Sequence, residues 1–161
     1  LSSPVFESRT GNKLDAVLLN FGGIRSTMSA GNVTTRTAFQ IMPFENEVVV
    51  VELGAQEMQE LFNYLKEAKT AHPISGMQII LNNSGEIDQA LVQGEPIAEN
   101  ETYFVATNDY LMNGGDNMNF FKDRKSETFI DYKIRNLLID YFNKKDTIAP
   151  VIDARFIKIK E

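Results

Sequence analysis

The sequence predicts an α+β fold, a single domain in which helices flank a mixed β-sheet. Three observations carry that prediction. Residues 47–53 (EVVVVEL) form a β-branched run, the composition that suits the pleated surface of a strand. Behind it, Met58, Leu61, Phe62 and Leu65 recur at helical spacing and give one apolar face to a core. Residues 77–81 and 86–92 flank Asn82-Asn83-Ser84-Gly85 as the arms of a hairpin. Helices and strands that intersperse irregularly, with a hairpin among them, imply a mixed sheet.

In chain order, residues 15–20 (DAVLLN) are a short apolar strand that stops at Phe21-Gly22-Gly23, where paired glycines permit backbone angles other residues avoid. Thr34 or Thr35 caps a short helix through Ala38 to Met42, ended by Pro43. Gly54 separates the β-branched strand from the helix behind it. Residues 102–107 (TYFVAT) make a further strand, followed by a polar, glycine-bearing stretch at 108–117. A second amphipathic helix turns Ile134, Leu137, Leu138, Tyr141 and Phe142 inward, and the alternating residues 155–160 (RFIKIK) close the chain as an edge strand.

Composition limits the chemistry. A chain of 161 residues, 43% hydrophobic with 11 Phe, builds one domain with a sizeable core over residues 1–161. The net charge of -6 argues against nucleic acid, whose polyphosphate backbone is bound by excess Lys and Arg. The absence of cysteine removes thiol nucleophiles, zinc–thiolate sites and disulfides, and suits both cytosol and periplasm. No apolar run approaches the roughly 20 residues of a membrane span, and the start at Leu1-Ser2-Ser3-Pro4 reads as interior or processed. One histidine, His72, stands in Ala-His-Pro and reads as a helix-end or loop residue. A two-metal phosphoesterase centre needs several His and Asp ligands around ions about 4 Å apart, and no such cluster is present. A carboxylate-only site at Asp109 and Asp116 has no spacing in its favour.

Three segments can carry binding. Gly22 and Gly23 in Asn20-Phe21-Gly22-Gly23-Ile24-Arg25 can aim successive N–H groups at an anion, and Arg25 can add two parallel hydrogen bonds. From spacing alone, a tight turn with a surface arginine is the commoner meaning of the same residues. Phe44 in Met42-Pro43-Phe44-Glu45-Asn46 is either a core plug or a stacking platform. In Asn108-Asp109-Tyr110-Leu111-Met112-Asn113-Gly114-Gly115-Asp116, an aromatic and a carboxylate again follow a strand, and Asp116 could accept from two neighbouring hydroxyls or serve as a turn carboxylate. Two aromatic loops and one Gly-Gly-x-Arg loop together suit a nucleotide, since ring stacking on a base is worth roughly 1–3 kcal/mol.

The segments NFGGIR, MPFEN leading into VVVVELGAQEMQELF, SGMQI and VATNDYLMNGGDN resemble, in order, the C-terminal domain of 5'-nucleotidases. The resemblance implies a fold like that domain and a role as the nucleotide-recognition part of a phosphoester hydrolase. Asn20 and Arg25 would contact the phosphate, Phe44 and Tyr110 would sandwich the base, and Asp116 would bind the ribose hydroxyls. Asn46 and Gly76 match positions that face the base edge in some members. The resemblance also implies a divalent metal pair on a partner metallophosphatase domain or subunit, no cofactor in this chain, and an exported, periplasmic or cell-surface location. The alternatives are a stand-alone nucleotide- or nucleoside-binding module without hydrolase activity, and a purely structural domain.

The chain departs from the family in three places. Phe21 replaces a glycine, which makes that backbone unit less free. Tyr110 stands where Phe is common, an added hydroxyl that leaves stacking intact. At the start, Glu7-Ser8-Arg9 runs into Thr10-Gly11-Asn12-Lys13-Leu14 where the family has a full helix. Residues absent from about 8–11 would account for that step, so Arg9 and Arg36 are not assigned to the phosphate.

Overall fold

The computed structural model describes residues 2–159. Its scaffold is a five-stranded sheet in the order β3-β1-β7-β2-β8, formed by β1 (Ala16–Leu18), β2 (Glu47–Gly54), β3 (Ile74–Ser75), β7 (Thr102–Asn108) and β8 (Ser126–Lys133). β1 runs parallel to β7 while β2 is antiparallel to both β7 and β8, so the sheet is mixed. The β-branched run is a central strand buried on both faces. Val49, Val51 and Leu53 enter one cluster with Met58, Leu61, Phe62 and Leu65 of α3 (Ala55–Glu67). Val48 and Val50 point the other way, onto Phe6, Ala106, Ile130 and Ile134. A period of two along the strand thus feeds two cores.

The expected hairpin is present, but in a sheet of its own. β4 (Met77–Leu81) and β5 (Ile87–Val92) pair antiparallel, β6 (Glu95–Pro96) extends one side, and β9 (Phe156–Lys158) lies parallel to β4 at the other edge. The protein therefore has two mixed sheets among the described residues, where the sequence reading has one. β9 confirms the closing edge strand; Lys160 lies outside the described residues.

Of the two expected caps, Thr34 is the one that caps α2 (Thr35–Ile41), with a reciprocal bond to Thr37. α1 (Ser2–Thr10), which the sequence reading does not assign, ends at Gly11 with φ 75°. Arg9 on it pairs with Asp131 at 2.9 Å. The expected inward face of α5 (Ile134–Asn143) is corrected. Ile134 is buried and Leu137 packs against the second cluster, but Tyr141 is 43% exposed. Arg135 is buried in its place, because its guanidinium finds acceptors in the loop ahead of β2.

Candidate functional site

Parallel pairing of β1 and β7 brings their C-terminal ends to one edge of the sheet, and antiparallel β2 begins at that same edge. The loops after β1, before β2 and after β7 therefore meet. These are the three loops that the sequence singles out.

After β1, Asn20 leads into a 3-10 turn at Phe21–Gly23. Neither Gly22 nor Gly23 is left-handed, so the backbone freedom that the paired glycines permit is not used here. What the pair supplies is room. A Cβ on Gly23 would lie 3.1 Å from Asn20 Oδ1 and 3.6 Å from Met42 Sδ. The same geometry explains why Phe21 is tolerated: its backbone is ordinary and its ring is exposed. The Arg25 backbone N–H donates to Ile41 O at 2.8 Å, and its guanidinium carbon lies 5.8 Å from the Phe44 ring centroid.

After β7, Asn108 caps α4 (Asp109–Met112) by accepting the Leu111 N–H at 2.7 Å. Its Nδ2 donates to Asn20 Oδ1 at 3.2 Å, so a buried asparagine joins the first loop to the third. Asp109 joins the third to the second: its Oδ1 accepts from Asn46 Nδ2 at 2.8 Å and from the Tyr110 N–H at 2.9 Å. Gly114 at φ 86° turns the chain back. Gly115 then lies beneath the Tyr110 ring, where a Cβ would be 2.5 Å from ring carbons. The Tyr110 hydroxyl donates to Asp116 Oδ1 at 2.8 Å and accepts the Asp116 N–H at 3.2 Å. The hydroxyl that distinguishes Tyr110 from Phe thus restrains the carboxylate beside it.

Asn20, Gly22, Gly23, Arg25, Phe44, Asn46, Tyr110 and Asp116 are brought into one group of connected loops. Phe44 is 44% and Tyr110 46% exposed, so neither is a core plug. Asn46 spends its amide on Asp109. Gly76 is not brought to the group. It sits at the other end of β1, at φ 72°, where a Cβ would lie 2.1 Å from Asp15 O, and this close approach gives the glycine a structural reason. A cleft of about 1070 Å³ lies between segments 28–35 and 139–150, and none of these residues lines it.

Sequence reasoning missed two members. His72, in the loop after α3, accepts the Phe21 N–H on Nδ1 at 3.2 Å, and its ring centroid lies 5.6 Å from that of Tyr64. Tyr64 donates to Asp116 O at 2.9 Å. Burial holds His72 below its usual pKa, opposed by the Asp116 carboxylate, so the neutral imidazole is favoured. Burial, then the Asp116 and Tyr110 charges, raise the Tyr64 phenol. His72 was visible as the lone histidine, but nothing in Ala-His-Pro says which loop it will meet. Among the described residues no group of three or more His, Asp or Glu could hold a metal ion. The residues present therefore do not fit a metal pair.

The family described as 5'-nucleotidase, C-terminal domain, matches residues 3–123. The chain belongs to this family. Among curated relatives, it is 29% identical over 148 residues to the cell wall protein Lmo0130 of Listeria monocytogenes, a match covering 78% of this chain and 19% of that protein. It is 26% identical over 144 residues to an apyrase of Tabanus yao, covering 77% of this chain and 26% of the apyrase. The solved 5'-nucleotidase precursor of Thermus thermophilus superposes with a TM-score of 0.82 at 22% identity, over 99% of this chain and 34% of that one. This 5'-nucleotidase C-terminal domain thus spans from about a fifth to a third of these three proteins.

Proposed function

We propose that this 5'-nucleotidase C-terminal domain recognises a nucleotide and presents its phosphate to a divalent metal pair on another domain or subunit. The observation that carries the reading is the coupling of three loops through Asn20–Asn108 and Asn46–Asp109. Phe44 and Tyr110 offer exposed rings for a base. Asp116, whose Oδ1 accepts from Tyr110, would offer Oδ2 to ribose hydroxyls, and Arg25 with Asn20 Nδ2 would supply donors for the phosphate. Holding a substrate in this way can supply several kcal/mol of a reaction barrier. The metal pair, like an exported or cell-surface location, is inferred from the family and from relatives such as the Listeria cell wall protein. We also read residues 1–161 as one C-terminal domain shortened near residues 8–11, which the coding sequence across that step tests.

Calorimetric titration with AMP and adenosine tests recognition. Binding of AMP that is weakened by Phe44→Ala and by Tyr110→Ala is the expected result. Absence of AMP binding, both alone and with a metallophosphatase domain supplied, overturns it. Binding with no gain in phosphate release when that domain is added would favour a stand-alone binding module.

A further inference from the structure

We propose that Arg135 is a positioning residue for the nucleotide base, acting through the backbone of Phe44; the proposal rests on the nucleotide reading above. The Phe44 ring is nearly half exposed, so core packing does not set its orientation. Its loop is held from behind by the first turn of α5. Nη1 of Arg135 donates to Pro43 O at 3.0 Å and to Phe44 O at 3.3 Å, while Nη2 bonds and pairs with the Glu45 carboxylate. The guanidinium carbon lies 4.0 Å from the Phe39 ring centroid, and the neighbouring Ile134 N–H donates to Asn46 O at 3.1 Å. Each residue from Pro43 to Asn46 is thereby tied to residues 134–135.

Arg135 is only 5% exposed, and its Nε has no hydrogen-bond partner. Burying a cation with one donor unmet is unfavourable. A plain surface ion pair to Glu45 does not require that burial, whereas gripping two successive carbonyls and a ring does. Lysine cannot substitute, because it lacks the planar fork and the stacking face. The same clamp reaches the opposite ring, since Asn46 bonds Asp109, the residue before Tyr110.

The test is affinity for AMP against ribose 5-phosphate, which lacks the base, in the unsubstituted chain and in Arg135→Lys. AMP affinity is expected to fall about tenfold, within what base stacking contributes, and ribose 5-phosphate affinity to hold. In a Phe44→Ala background, Arg135→Lys should change AMP affinity no further. Should Arg135→Lys fail to fold, Phe39→Ala removes only the ring contact and should lower AMP affinity in the same base-dependent way. Equal losses for both ligands, or unchanged AMP affinity, overturn the assignment of Arg135 alone. Failure of the unsubstituted chain to bind either ligand overturns the nucleotide reading, and this assignment with it.

Discussion

Asn46 donates its side-chain amide to Asp109 Oδ1 at 2.8 Å across 63 residues of sequence. One residue, Glu45, separates Phe44 from Asn46, and Tyr110 directly follows Asp109. This bond therefore ties together the two segments that carry the exposed rings, and we expect it to hold their spacing. Because the acceptor is charged and the contact partly buried, it is stronger than an average hydrogen bond, at about 1.5–3 kcal/mol. Asn46→Ala and Asp109→Ala should each lower AMP affinity, and the double variant should lose less than the sum. A double-mutant cycle in calorimetry measures this, with a coupling of about 1 kcal/mol expected; additive losses would show that the bond does not set the spacing.

Tyr110→Phe separates stacking from the hydroxyl. The ring stays over Gly115, but Asp116 loses its restraint at Oδ1 and the acceptor for its N–H. AMP affinity should drop only a few-fold, against roughly tenfold or more for Tyr110→Ala. The Tyr110→Phe loss should shrink for a 2'-deoxynucleotide, which asks less of Asp116. An equal loss for both sugars would place the hydroxyl's effect elsewhere.

Two glycines should fail in different ways. Gly76→Ala puts a Cβ 2.1 Å from a backbone oxygen at φ 72°, and neither the backbone nor the residue can yield cheaply. We expect at least about 2 kcal/mol of lost stability in denaturant unfolding, with AMP affinity of the folded protein kept. Gly115→Ala instead meets the Tyr110 ring at 2.5 Å, and a side chain can swing away. Stability should change little while AMP affinity falls about tenfold.

His72 provides a pH test. Burial places its folded-state pKa below the ordinary 6.5, so the unfolded chain binds the proton more readily. Its contribution to stability is complete above 6.5 and declines as pH falls below that value. Protonation of Nδ1 also removes the acceptor for the Phe21 N–H. As the sole histidine, its ring protons are unambiguous in an NMR titration. A midpoint below 6.5 is expected, and one at or above it would contradict the buried neutral ring.

Glu45 gives the same sign in a lower pH window. Hydrogen bonds from Lys133 and then Arg135 lower its pKa to about 2. The contribution of its carboxylate is present above the ordinary value of 4.5 and is lost as pH falls toward 2. The protection factor of the Ile134 amide, which donates to Asn46 O in that loop, should fall across that interval before those of the Val49 and Val51 amides respond. Simultaneous loss would mean that Glu45 does not secure the loop separately from the sheet.

Sequence by itself determined the local chemistry. β-branching at 48–51 made a two-faced strand, helical spacing of Met58, Leu61, Phe62 and Leu65 made one face of α3, and Thr34 capped α2, because each depends on residues within a few positions. Residue order also marked Asn20, Arg25, Phe44, Asn46, Tyr110 and Asp116 as a set, through resemblance to a family. Only tertiary structure decided which of them meet. The parallel β1–β7 pairing carries Asn20 to Asn108, and the antiparallel β1–β3 pairing puts Gly76 at the far end of β1. The partners of His72 and Arg135 were illegible for the same reason: each acts on a loop 51 or about 90 residues away. Periodicity assigned α5 an apolar inward face, yet Arg135 is buried and Tyr141 exposed, because burial follows the acceptors a side chain finds. Those acceptors, the carbonyls of Pro43 and Phe44, exist only once the sheet has brought the loop and the helix together.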